Sequence, residues 1–144
     1  MARLRVSERY AVAIEQLRRI RYFPLPALEA FLWGMTFGWA TWLILPVDTF
    51  STSKTFSGMA QLLTEYAWGT ILLFLSTLHI IAYLSRAYGW RRVALFCVFL
   101  FWIGIEVQFV LSNPWSTSTW TYGWIAAAYG YIYIVLERDA RTES

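Results

Sequence analysis

Tyr66–Leu84 reads YAWGTILLFLSTLHIIAYL, with no Asp, Glu, Lys or Arg in it and one histidine, His79, near its end. At about 1.5 Å of rise per residue a helix of this length matches the roughly 30 Å hydrocarbon core of a bilayer. The stretch therefore predicts a membrane-spanning helix.

Three further stretches share its character. Upstream, Ala27–Leu45 is apolar apart from Glu29 near its start, and Pro24, Pro26 and Pro46 punctuate its ends. Proline restricts the residue before it and cannot continue a hydrogen-bond ladder, but it fits the first position of a helix. Downstream, Val93–Leu111 is VALFCVFLFWIGIEVQFVL. After Ser112-Asn113-Pro114, a last stretch runs from near Ser116 or Ser118 to about Leu136. Backbone groups in lipid must be satisfied internally, so helices are the expected form. The expected fold class is an all-α membrane protein with four transmembrane helices, preceded by an amphipathic surface helix. Its parts are a basic amphipathic helix at 1–23, a transmembrane domain at 27–136 and a short cytoplasmic tail at 137–144.

In the first part, Val6, Tyr10, Ala13, Ile14 and Leu17 recur at helical spacing beside Arg3, Arg5, Arg9, Arg18, Arg19 and Arg21. An apolar stripe flanked by arginines suits a helix lying on a membrane surface with anionic lipids at the cytoplasmic face. No cleavable leader is read there, so the first spanning helix is expected to act as the insertion signal. The longest connection, Val47–Glu65, is rich in Ser and Thr. Phe56–Leu63 within it is expected to form a short interfacial helix with Phe56, Met59, Ala60 and Leu63 on one side. Thr64 is placed to cap the second spanning helix, with Glu65 just inside.

Composition agrees with this reading. Of 144 residues, 58% are hydrophobic and 15% charged, against about 25% charged in a soluble domain. Nine Trp and nine Tyr suit headgroup depth. The net charge of +3 is unevenly placed. Of the 12 Lys and Arg, only Lys54 falls in the connections after the first and third spans; the rest lie in the amino-terminal arm, the turn Ser85–Arg92 and the tail. Positive residues favour the cytoplasm, which puts both termini inside a bacterial inner membrane. The basic residues mark topology and lipid contact, with no nucleic acid as partner. One cysteine, Cys97, provides neither a disulfide nor a metal set.

Ionisable side chains within spans are the first functional suspects. His79 lies about 8 Å from the inner end of its helix and Glu106 about 8 Å from the outer end of the next. A direct pair between them is not expected. Glu106 is the stronger suspect, with Thr41, Thr70 and Tyr122 at matching depth. His79 has Thr36, Cys97 and Tyr131 within depth. Gly34 and Gly38, with Ala30, form a small-residue stripe that permits close helix approach. The small residues of the last helix, Gly123, Ala126, Ala127 and Gly130, are expected to pack against it. Tyr122, Tyr129 and Tyr133 share a face of that helix, and buried hydroxyls need partners. Glu29 is read as a first-turn carboxylate favoured by the helix dipole. There is no nucleotide loop, HExxH, GxSxG or paired carboxylate, so no catalytic, cofactor-binding or metal residues are assigned and no enzyme is expected.

The run LILPVDTF (Leu43–Phe50), EYAWGTILLFLSTLHIIAYL (Glu65–Leu84), the pair Arg91-Arg92 and LSNPWSTST (Leu111–Thr119) resembles small four-helix membrane proteins encoded by tailed bacteriophages and prophages. The likeness spans roughly 31–136, with Glu65, Trp68, Gly69, Asn113 and Pro114 its most specific points. It implies no active residues. It implies a holin-like homo-oligomer that permeabilises the host membrane. The alternative is a non-lytic interaction protein, such as a superinfection-exclusion factor or an assembly or regulatory subunit, bound to a host or phage membrane protein.

Overall fold

The computed structural model describes residues 25–142. The expected surface helix at 1–23 lies outside them. The described residues have helix as their only regular structure, with no strand. They form α1 (Leu25–Ile44), α2 (Thr49–Thr52), a 3-10 turn (Lys54–Phe56), α3 (Ser57–Leu62), α4 (Glu65–Leu84), α5 (Tyr88–Ser112) and α6 (Thr117–Thr142).

The four long helices bundle in sequence order. α1 packs most extensively on α4 and α5 on α6; α4 joins the two pairs through α5, and α1 touches α6 more thinly. Each buries one stripe at helical spacing. In α1 the stripe is Glu29, Leu32, Thr36, Ala40 and Leu43. In α5 it is Ala94, Leu95, Val98, Trp102, Ile105 and Phe109. Opposite faces carry exposed Phe31, Trp42, Phe74, Leu100 and Ile134. α4 and α5 are long and apolar enough to cross a membrane, and only a third of the apolar window of each is buried inside the bundle. A helix in a soluble core would bury most of that surface.

Local chemistry sets the ends. Thr64 Oγ1 accepts from Ala67 N at 3.3 Å and caps α4, with Glu65 in the first turn. α5 starts several residues before Val93, taking in Arg91 and Arg92, because both arginines find carboxylates from within the helix: Arg91 pairs with Glu29 and Arg92 with Glu137. α6 continues past Leu136 for the same reason, since charged residues are sound helix formers. The basic turn is thus reduced to Ser85–Ala87.

The connection from α1 to α4 is a folded lid. The Glu65 carboxylate accepts from Thr49 N at 3.0 Å and Phe50 N at 3.1 Å. Phe56 packs on Phe50 and edge-on to Phe109, with centroids 5.5 and 5.4 Å away. Trp68 Nε1 donates to Met59 O at 3.0 Å, and Gly58 N to Ser112 Oγ at 3.1 Å. Met59 is buried, whereas Ala60 and Leu63 face out, so only Phe56 and Met59 of the expected apolar side turn inward. Glu65→Ala should free the lid without unfolding the bundle. Losing charge-assisted bonds worth about 1.4 kcal/mol in all should speed tryptic cleavage after Lys54 roughly tenfold, at unchanged helicity.

Among the long helices, approach is closest at Gly69. A Cβ there would stand 2.9 Å from Ile44 Cγ1 and 3.0 Å from both Ala40 O and Leu43 Cβ. Gly34 and Gly38 have nothing within 4 Å of such a Cβ. They face outward and pack against no helix among the described residues. The small residues of α6 therefore do not meet them. Gly130 instead admits the Phe99 ring at 3.0 Å and Gly123 the Glu106 carboxylate at 3.2 Å, both from α5.

Candidate functional site

Three consecutive long helices each bring one ionisable group to the basic end of the bundle. Glu29, on the inward stripe of α1, is 1% exposed. His79 comes from α4 and is equally buried; Arg91 comes from the first turns of α5. His79 Nε2 lies 3.0 Å from Glu29 Oε1. Arg91 Nε donates to the same oxygen at 3.0 Å, and its Nη2 donates to Oε2. The guanidinium also lies over the Tyr83 ring, 4.9 Å from its centroid. The side-on, two-pronged geometry is the strong form of an Arg–carboxylate pair. It compensates a carboxylate that burial alone would disfavour.

The polar string continues inward by ring contact. The His79 ring meets the Tyr129 ring edge-on at 6.0 Å. Tyr129 OH lies 2.8 Å from Thr36 Oγ1, which also donates to Leu32 O at 3.0 Å and accepts from Trp102 Nε1 at 3.1 Å. With its one proton on Leu32 O, the Thr36 hydroxyl accepts from both Tyr129 and Trp102, filling both lone pairs. Farther along, Trp39 Nε1 donates to Tyr122 OH at 3.0 Å, and the Trp102 and Tyr122 rings stack at 5.6 Å. Four helices are thus cross-linked by polar side chains whose partners lie within one chain.

The residues singled out from sequence fall in different places. His79, Tyr129 and Tyr122 belong to this string. The partner of His79 is Glu29; Thr36, expected beside His79, serves Tyr129 and Trp102. Tyr131 is 49% exposed and joins nothing inside. Glu106 stands apart, half-buried against Gly123, and its buried Oε2 has no hydrogen-bond partner among the described residues. Thr41 and Thr70, at matching depth, bond back to Phe37 O and Tyr66 O of their own helices. Gly34 and Gly38 are on the outside.

Glu29 and Arg91 are the site residues that the sequence reading passed over. Read separately, one is a first-turn carboxylate and the other a topology-setting arginine. The available signal was joint: a carboxylate, a histidine and an arginine on three successive helices, all within about two turns of the same end. Beside the string, His79 Nδ1 and Ser76 Oγ are buried without hydrogen-bond partners among the described residues. No three His, Cys, Asp or Glu side chains come together as a metal-binding group among the described residues. Comparison with protein-family profiles, with curated proteins and with solved structures finds no match for this chain.

Proposed function

We propose that this is a phage- or prophage-encoded inner-membrane protein with four spans and both termini cytoplasmic, acting through contact with another membrane protein without opening a path through itself. The observation carrying this reading is an interior filled with side chains, whose central polar groups bond mainly to one another. Trp102, Phe109 and Tyr129 are at most 1% exposed, and Glu29, Thr36, Tyr129 and Trp102 find their partners inside the bundle. A water-filled path would need polar groups facing a lumen.

Two features support the orientation. Lys54 is in the lid, while Arg86, Arg91, Arg92 and Arg138 cluster at the other end. Exposed Trp115 and Trp120 lie near the lid end, and exposed Tyr88 and Trp90 at the basic end, as interfacial belts would. The folded lid would then face the periplasm and present the contact surface.

A holin-like reading is favoured by one observation: outward Gly34 and Gly38 leave a shallow strip on α1 where a second copy could approach closely. Expression in a bacterium that also makes a cytoplasmic wall-degrading enzyme separates the two. We expect growth and membrane potential to hold at high expression. Abrupt depolarisation followed by lysis would overturn the contact reading and establish an oligomeric permeabiliser.

A further inference from the structure

We infer that the basic end of the bundle holds the phosphate of an anionic phospholipid, in a pocket of about 410 Å³ between the α4–α5 turn and the start of α1. The inference rests on the membrane reading above and assigns that reading a specific lipid partner.

The pocket is lined by Pro26, Tyr83, Leu84, Arg86, Tyr88 and Arg91. Arg91 is held rigid from behind. Glu29 takes its Nε and Nη2, which leaves Nη1 without a hydrogen-bond partner among the described residues. Tyr83 supports the guanidinium plane from below. A preorganised nitrogen with free N–H bonds suits a phosphate oxygen.

Arg86 supplies the charge. Glu29 neutralises Arg91, but Arg86 has no carboxylate partner among the described residues. Its backbone has φ 54°, the one left-handed non-glycine residue described. That conformation is disfavoured for a residue with a Cβ and is relaxed for glycine. A cation is thus carried at the tip of the turn where backbone preference favours glycine.

The remaining walls suit a lipid better than a free anion. Pro26 and Leu84 are apolar, and Leu84 is 70% exposed. Ile81, one turn earlier on α4, is 58% exposed. An apolar track therefore leads from the pocket along the outer face of α4, where an acyl chain can lie while the headgroup meets Arg86 and Arg91. Cationic pockets at the cytoplasmic ends of helices recognise headgroups in this way.

The test uses the full chain in detergent, titrated with dioleoylphosphatidylglycerol, dioleoylphosphatidylcholine or inorganic phosphate while thermal unfolding is followed. Phosphatidylglycerol should raise the midpoint by about 5 °C near saturation, and the other two should leave it within error. Arg86→Gly removes the charge while relaxing the backbone, so its midpoint without lipid should equal or exceed the parent's, and the phosphatidylglycerol shift should fall by at least half. Arg86→Lys should retain most of that shift.

An undiminished shift in R86G overturns the pocket. So does an equal response to phosphatidylcholine; an equal response to inorganic phosphate overturns the lipid in favour of a soluble anion. A shift that survives R86G but disappears when Arg18, Arg19 and Arg21 are replaced assigns the lipid to the amino-terminal arm, again overturning the pocket. Alkaline carbonate washing of cell membranes separates the levels. Release of the chain removes the membrane premise itself, whereas a retained chain with no lipid preference removes only the pocket.

Discussion

Arg91→Met should lower the unfolding midpoint in detergent by about 10 °C, and adding Glu29→Met should restore part of that loss. The single change strips Glu29 of two of its three hydrogen bonds and leaves a carboxylate, 2% exposed at its side chain, facing His79 alone. Breaking a buried pair by removing one partner costs about 3–5 kcal/mol. The Arg91 side chain is 20% exposed, so the lower end applies, about 3 kcal/mol. For a chain of this size that corresponds to roughly 10 °C. The double variant removes both charges and fills the space with apolar groups of similar volume, an exchange that is often neutral. It also takes from His79 Nε2 its partner, so the recovery is partial. Glu29→Gln should be milder than Arg91→Met, since the amide keeps a hydrogen bond to His79 and the cation left behind lies nearer the surface. Equal midpoints for the parent and R91M would show that the triad does not stabilise the bundle.

Among the glycines of the long helices, Gly69→Val should be the most damaging substitution, lowering stability by about 3 kcal/mol, whereas Gly34→Val and Gly38→Val should stay within about 0.5 kcal/mol of the parent. A Cβ at position 69 would meet backbone, Ala40 O at 3.0 Å, as well as Ile44 and Leu43. A side chain can rotate away, but a helical carbonyl cannot without moving α1. The branched Cβ of valine extends the overlap. At 34 and 38 the added methyls meet nothing among the described residues. Thermal unfolding of the three variants tests the ranking. A change in particle mass confined to G34V and G38V would locate a contact between copies on that strip. A stable G69V would mean that α1 and α4 are farther apart than described.

The four long helices were legible in the sequence because each is written twice, once as an apolar run and again in its punctuation. Pro46, Thr64 and Asn113-Pro114 mark ends that the structure keeps to within a few residues. Charge misled at the basic end. Arg91 and Arg92 were read as a turn, yet they are helical because their carboxylate partners, Glu29 and Glu137, come from other helices, 62 residues away in the Arg91 case. The site was half legible. Composition pointed to His79, Tyr122 and Tyr129 as buried polar groups seeking partners. The identity of those partners depends on helix rotation, which the apolar stripe of α1 sets: Glu29 and Thr36 are seven apart and so fall on one inward face. Gly34 and Gly38 show the limit of spacing arguments. Small residues four apart permit close approach, but they do not say which side of the helix a neighbour occupies. Gly69, with no glycine one turn away in its own helix, is the one set against the backbone of α1.

The order in which the triad is synthesised has its own consequence. Glu29 leaves the ribosome 50 residues before His79 and 62 before Arg91. On the four-span reading the first helix therefore enters the bilayer with a carboxylate whose partners do not yet exist, and it cannot settle as a finished unit. Its permanent lodging awaits the third helix, when the arginine arrives to neutralise it. On that reading assembly is expected to be sequential, with α1 held at the insertion machinery until α5 has emerged. Nascent chains halted between α4 and α5 should remain cross-linkable to that machinery through α1, and those halted after α6 should not.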